Sequence, residues 1–158
     1  MGQEIPRIAT CLWFDGQALE AAEFYCRIIP GSRIERVGRY SEGKEFAEPG
    51  KVMLVEFTLA GAPFRAVNGG SQFKLSEAVS ISVSTKDQVE TDRIWDTLSA
   101  DGGSENNCGW LKDRFGLSWQ IIPEQALALL QGPNATKVLR ALLRMKKIII
   151  ADLEAAAR

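Results

Sequence analysis

The sequence predicts an α+β fold built from two βαβββ units followed by C-terminal helices. Three observations predict it. The order strand, helix, strand, strand, strand occurs twice along the chain. Matching apolar positions recur in the two halves: Phe24, Tyr25 and Ile28 overlay Ile94, Trp95 and Leu98, and Gly61, Phe64 and Val67 overlay Gly116, Trp119 and Ile122. The strand segments are short, and several alternate with the period of two that a half-buried sheet imposes.

In the first half, Ile8 to Phe14 is a short apolar strand. Asp15 is placed to cap a helix from about Gln17 to Ile29, with Ala18, Ala21, Ala22, Tyr25 and Ile29 on one face. Pro30-Gly31 stops that helix. Arg33 to Tyr40 follows as a strand, then a polar loop over 41–51, then two strands, Val52 to Leu59 and Ala62 to Val67, joined at Ala60-Gly61. The second half opens with the strand Val79 to Ser84. Thr85-Lys86-Asp87-Gln88 has the form of a capping box, and its helix runs to about Leu98 before Asp101-Gly102-Gly103 ends it. A weak strand and the hairpin CGWLKDRFGLSWQIIP complete the unit; Gly116 divides the two apolar runs of that hairpin. The expected segments are 6–70, 76–123 and a helical extension over 124–158, within one domain.

Composition narrows the function. A net charge of −1 and a pI near 5.6 argue against a nucleic-acid partner or a polybasic membrane contact. No apolar run approaches the roughly 20 residues of a membrane span, and the N-terminus has no signal-peptide core. Three widely spaced cysteines, Cys11, Cys26 and Cys108, with no CxxC pair, predict a reduced, cytoplasmic protein. The chain contains no histidine.

The hairpin carries a resemblance. Asp113, the turn, Gly116 and the residue four positions later are similar to the closing strand of the vicinal-oxygen-chelate superfamily, which includes glyoxalase I, bleomycin resistance proteins and extradiol dioxygenases. There the fourth position is a glutamate that binds metal; here it is Gln120. The ordered blocks CLWFDGQALEAAEFY, FRAVNGG, FKLSEAVSISV, CGWLKDRFGLSWQIIP and MKKIIIADLE resemble the superfamily's 3-demethylubiquinone-9 3-methyltransferase-like family over nearly the whole chain. The resemblance implies the glyoxalase/bleomycin resistance fold, in which the paired units curl their sheets into a cup. It also implies a homodimer. The apolar stripe Val138, Leu142 and Met145, with Ile148-Ile149-Ile150 behind it, is expected to pack at or near a two-fold interface.

One anchor orients the faces, because side chains alternate across a strand. With Gln120 in the cup, Trp119 and Ile121 face the helices. The overlay then places Arg65 in the cup and Phe64 under the helix. A two-residue turn at Ala60-Gly61 sets Glu56 opposite Arg65 and Phe57 opposite Phe64. Thr10, Leu12, Phe14, Ser80 and Ser82 are expected to share the cup. Trp110 and Trp119 read as core, and Trp13 as a pocket rim. The superfamily's metal positions fall near Thr10, Arg65, Ser80 and Gln120, which are not a transition-metal ligand set. Cys108 reads as a packed cysteine before it reads as a nucleophile, since no histidine is present to activate it.

These residues predict a metal-independent protein that binds a small organic ligand and needs no cofactor. The ligand-binding candidates are Thr10, Leu12, Phe14, Glu56, Arg65, Ser80, Ser82, Cys108 and Gln120. Two alternatives stand beside it. One is a metal-free enzyme using Glu56, Arg65, Gln120 or Cys108. The other is methyl transfer to a quinone-like phenol, which the family label implies. No Gly-rich turn leads into a parallel αβ series to support a nucleotide-like methyl donor.

Overall fold

The computed structural model describes residues 5–41 and 48–158. The chain forms two compact units, residues 1–75 and 76–158. In the first, β1 (Thr10–Phe14), α1 (Ala18–Ile28), β2 (Arg33–Arg39), β3 (Val52–Leu59) and β4 (Ala62–Asn68) build a mixed four-stranded sheet of order β1-β4-β3-β2. In the second, β5 (Ser80–Thr85), α2 (Gln88–Ser99), β6 (Ser104–Glu105), β7 (Trp110–Lys112) and β8 (Ser118–Pro123) give the same order, β5-β8-β7-β6. The doubled βαβββ unit expected from the sequence is therefore present, but the cup is not. Each sheet is an open ladder, neither closed nor strongly curled. Closure requires the edge strands of a sheet to find partners. Here β1 and β2 end one sheet, and β5 and the two-residue β6 end the other. The polar loop expected over 41–51 lies partly outside the described residues.

One face of each sheet is packed under the helix of its own unit. In the first unit, Val55, Phe57, Leu59, Phe64 and Ala66 meet Ala21, Ala22, Tyr25 and Ile28 in a core closed to solvent. In the second, Trp119, Ile121 and Leu111 meet Ile94, Trp95 and Leu98. The Phe57 and Phe64 rings stack with centroids 5.4 Å apart. Each fully buried large side chain of this kind contributes about 1.5–3 kcal/mol.

Neither helix starts as the local sequence suggests. α1 begins at Ala18, whose N–H donates to Asn68 Oδ1 at 2.9 Å, so a residue of β4 caps it in place of Asp15. The capping box of α2 sits two residues late. Asp87 Oδ1 accepts from Glu90 N at 2.8 Å, and Glu90 Oε2 accepts from Lys86 N at 2.9 Å. Thr85 shares a buried hydrogen bond with Thr91 at 2.6 Å. Gln88 is thereby free for another task.

That task is to hold the C-terminal extension, α3 (Glu124–Leu130), α4 (Ala135–Leu142) and α5 (Ile150–Ala156). Gln88 Nε2 donates to Ile148 O at 3.1 Å, and Gln88 Oε1 accepts from Ile150 N at 2.8 Å. Cys108 N and Gly109 N donate to Met145 O and Lys146 O, both at 2.8 Å. Ala126, Val138, Leu142, Ile148 and Leu153 form a buried cluster, with Cys108, Ile122 and Met145 packed against it. Of the stripe expected at a two-fold interface, Val138, Leu142 and Ile148 are buried within their own unit, and Met145 is partly buried against them.

Candidate functional site

The sheet face that each helix leaves uncovered is where the side chains differ most between the units. In the first unit the middle row crosses all four strands: Cys11 beside Arg65, Arg65 opposite Glu56, and Glu56 opposite Arg36. The turn that sets this register has Ala60 and Gly61 both at positive φ, 47° and 85°. A two-residue hairpin turn of this hand requires that conformation. Glu56 therefore faces Arg65, and Phe57 faces Phe64, in the register expected from the sequence.

Arg36 arrives by a different device. A bulge in β2 interrupts the register between Ile34 and Arg36. Without it, Glu35 would stand opposite Glu56, a like-charge pair that destabilises a sheet. With it, Arg36 Nε donates to Glu56 Oε2 at 2.6 Å, while Arg65 Nε lies 3.6 Å from Glu56 Oε1. The hydrogen bond from Arg36 holds the Glu56 carboxyl below the usual carboxylate range, with the charges of Arg36 and Arg65 adding to it against a desolvation penalty. Arg33 pairs with Glu35 at 2.8 Å, and Thr58 Oγ1 donates to Glu35 at 3.3 Å. These groups line a cleft of about 480 Å³ bounded on its apolar side by Ile5, Pro6, Ala9 and Pro63.

Three of the expected residues lie elsewhere. Thr10, Leu12 and Phe14 pair beside Phe64, Ala66 and Asn68, with the parity opposite to the ionic row; Thr10 is exposed, and Leu12 and Phe14 are 2% and 4% exposed. The error is one residue of parity on β1: Cys11 and Trp13 occupy the open face. Trp13 does not rim the cleft. Its Nε1 donates to Gly70 O at 2.9 Å, and its ring meets Phe73 edge to face at 5.0 Å. It lies so close over Gly69 that a Cβ there would come within 2.0 Å of it. Trp13, Val67, Leu54 and Gly38 make a second, uncharged row parallel to the ionic one.

The second unit's open face is neutral at the corresponding row. Ser82 pairs beside Gln120, which stands opposite Trp110. Gln120 Nε2 donates to Ser80 Oγ at 2.8 Å. Trp110 is half-buried on this face and is not in the helix-side core where the sequence placed it; Trp119 alone is there. Cys108 is off this face altogether, packed against the C-terminal cluster at φ 61°. Asp113 has a structural role. Its Oδ1 accepts from Phe115 N and Leu117 N at 2.8 and 3.1 Å, and its Oδ2 accepts from Trp119 Nε1 at 2.8 Å.

The residues at the superfamily's metal positions do not fit a metal. Arg65 is cationic, Thr10 is exposed and has the β1 parity opposite to the ionic row, and the Gln120 amide is bonded to Ser80. Among the described residues, no group of three or more His, Cys, Asp or Glu stands where it could hold an ion. Among the same residues, no helix is long and apolar enough to cross a membrane.

Two βαβββ units with these sheets define a member of the vicinal-oxygen-chelate superfamily, the group of glyoxalases and bleomycin resistance proteins. The chain belongs to the family described as 3-demethylubiquinone-9 3-methyltransferase, whose model matches residues 6–122. It is 29% identical to a solved Bacillus cereus protein provisionally described as 3-demethylubiquinone-9 3-methyltransferase, PhnB protein, with a TM-score of 0.68 over 75% of this chain and 99% of that one. A Pseudomonas aeruginosa protein, PA1353, is 22% identical and shares the fold with a TM-score of 0.63, over 76% of this chain and 98% of that one. A search of curated proteins gives no match. The family match ends at 122, so α3, α4 and α5 lie beyond it.

Proposed function

We propose that this protein binds a small organic ligand, without a metal, on the open face of the first unit's sheet. The observation that carries the reading is the cleft of about 480 Å³ floored by Arg36, Glu56 and Arg65. Its volume falls in the range of ordinary ligand sites. A binding or sequestering role is favoured over acid–base catalysis. Glu56 is held in its charged form by two guanidiniums and is a weak proton acceptor near neutral pH. Gln120 is bonded to Ser80, and Cys108 is packed away from both open faces.

The family's description names a methyltransferase, and the chain's own features do not fit a nucleotide-like methyl donor. One N–H at the start of each helix is already taken by a side chain, Ala18 N by Asn68 and Glu90 N by Asp87. Each sheet has one parallel pair and two antiparallel ones, unlike a doubly wound nucleotide fold.

Thermal-shift screening of small organic acids, phenols and amines, with and without Zn²⁺ or Ni²⁺, tests this reading. Stabilisation by an organic compound, unchanged by metal and reduced in Arg65→Ala, is expected. Ligand binding that requires a tightly held metal would overturn it, as would turnover of S-adenosylmethionine.

A further inference from the structure

Resting on that site, we infer that its ligand is an organic monocarboxylate with an apolar body. Charge comes first. The cleft is lined by three guanidiniums, Arg33, Arg36 and Arg65, and by two carboxylates, Glu35 and Glu56, which leaves one positive charge in excess. The chain as a whole carries −1, so this patch is opposite in sign to the protein around it.

The geometry locates that excess. Arg33 is matched by Glu35 at 2.8 Å. Glu56 is shared between Arg36 and Arg65 and meets each through its Nε atom, at 2.6 and 3.6 Å. One carboxylate thus orients two guanidiniums while compensating only one. The planar fork of a guanidinium matches a carboxylate in two parallel hydrogen bonds. The Arg65 side chain is 34% exposed and that of Arg36 is 67% exposed, so Arg65 is the less screened and the stronger anchor.

The same arrangement selects among anions. A single negative charge balances the excess; a phosphate dianion would leave a second charge facing Glu56. The walls select the rest of the molecule. Ile5, Pro6, Ala9 and Pro63 offer apolar contact without hydrogen-bonding side chains, which suits a one-ring or short alkyl body.

The test uses the full chain and an NMR titration with benzoate, 3-phenylpropanoate and hexanoate, their primary amides, benzylamine and phenyl phosphate. The acids are expected to shift the amides of Glu56 and Arg65 and to bind about tenfold or more tightly than their amides, the worth of one charge-assisted pair. Arg65→Gln should remove most of that preference, Arg65→Lys should keep part of it, and Arg36→Gln should reduce it less. Arg39→Gln, whose side chain bonds Gly50 O outside the cleft lining, should leave it intact. Thermal unfolding of each variant reports that it is folded. Amides or benzylamine binding as tightly as the acids would overturn the charge inference and leave the ligand site standing. Phenyl phosphate binding tighter than the carboxylates would overturn the monocarboxylate assignment. No shift in the cleft with any compound would overturn both this inference and the site itself.

Discussion

The middle row of the first sheet runs Cys11, Arg65, Glu56, Arg36; the corresponding row of the second runs Ser82, Gln120, Trp110. Their helix-facing rows, by contrast, are alike in kind: Phe64 and Trp119, Ala66 and Ile121, Tyr25 and Trp95 all occupy corresponding buried positions. The duplicated unit keeps its fold through the packed face, where a change of volume is costly. The open face carries no such constraint. It is ionic in one unit and hydrogen-bonded and aromatic in the other.

The units also differ in how they finish. The second needs the C-terminal extension to cover its remaining apolar surface, and the first has none. Removing residues beyond Gly132 takes away Val138, Leu142, Ile148 and Leu153, each worth about 1.5–3 kcal/mol of burial. Hydrogen exchange is expected to show the second unit losing protection while the first retains it. A folded second unit in the truncated chain, with a dimer lost instead, would place the extension at a subunit interface.

Their hairpins contrast in the same way. The Ala60-Gly61 turn rests on backbone conformation and one side-chain hydrogen bond, from Ala60 N to Ser32 Oγ at 3.0 Å, whereas Asp113 accepts three hydrogen bonds in the other. Asp113→Ala leaves three donors without that acceptor and is expected to cost about 2–4 kcal/mol in denaturant unfolding. Ala60→Gly relieves a positive φ and is expected to be neutral or to gain about 0.5 kcal/mol. A cost for Asp113→Ala no larger than that of a surface substitution would erase the distinction.

The smallest effects belong to the open faces. Because Glu56 titrates below its unfolded value, its contribution to stability is present above the unfolded value and is lost as pH falls through the folded one. Arg36→Gln is expected to move the Glu56 titration, followed by NMR, up toward the ordinary carboxylate range and to narrow that pH window. An unmoved titration would show that the 2.6 Å hydrogen bond does not govern Glu56. Gln120→Ala removes one neutral hydrogen bond to Ser80 and is expected to cost no more than about 1 kcal/mol.

The ionic site was half legible in the sequence. Glu56 and Arg65 follow from counting outward across a two-residue turn, and both lie where that count puts them. Arg36 is not legible by alternation, because the β2 bulge breaks it. The pairing of Glu35 with Glu56 that alternation would force was the one signal available. The face of Leu12 and Phe14 is not legible in the sequence, because β1 is apolar at nearly every position and its parity is set by β4, which is more than 45 residues away.

The sequence by itself determined the doubled βαβββ order, the buried positions shared by the two halves and the Glu56–Arg65 register. Each rests on local periodicity or on a short turn, and those act between near neighbours in the chain. Only the tertiary structure decided that the sheets stay open instead of curling into a cup, which face β1 presents, that Asn68 caps α1, and that Gln88 holds the C-terminal extension. Each of these depends on groups brought together from distant parts of the chain, where hydrogen-bond satisfaction and burial override the local preference.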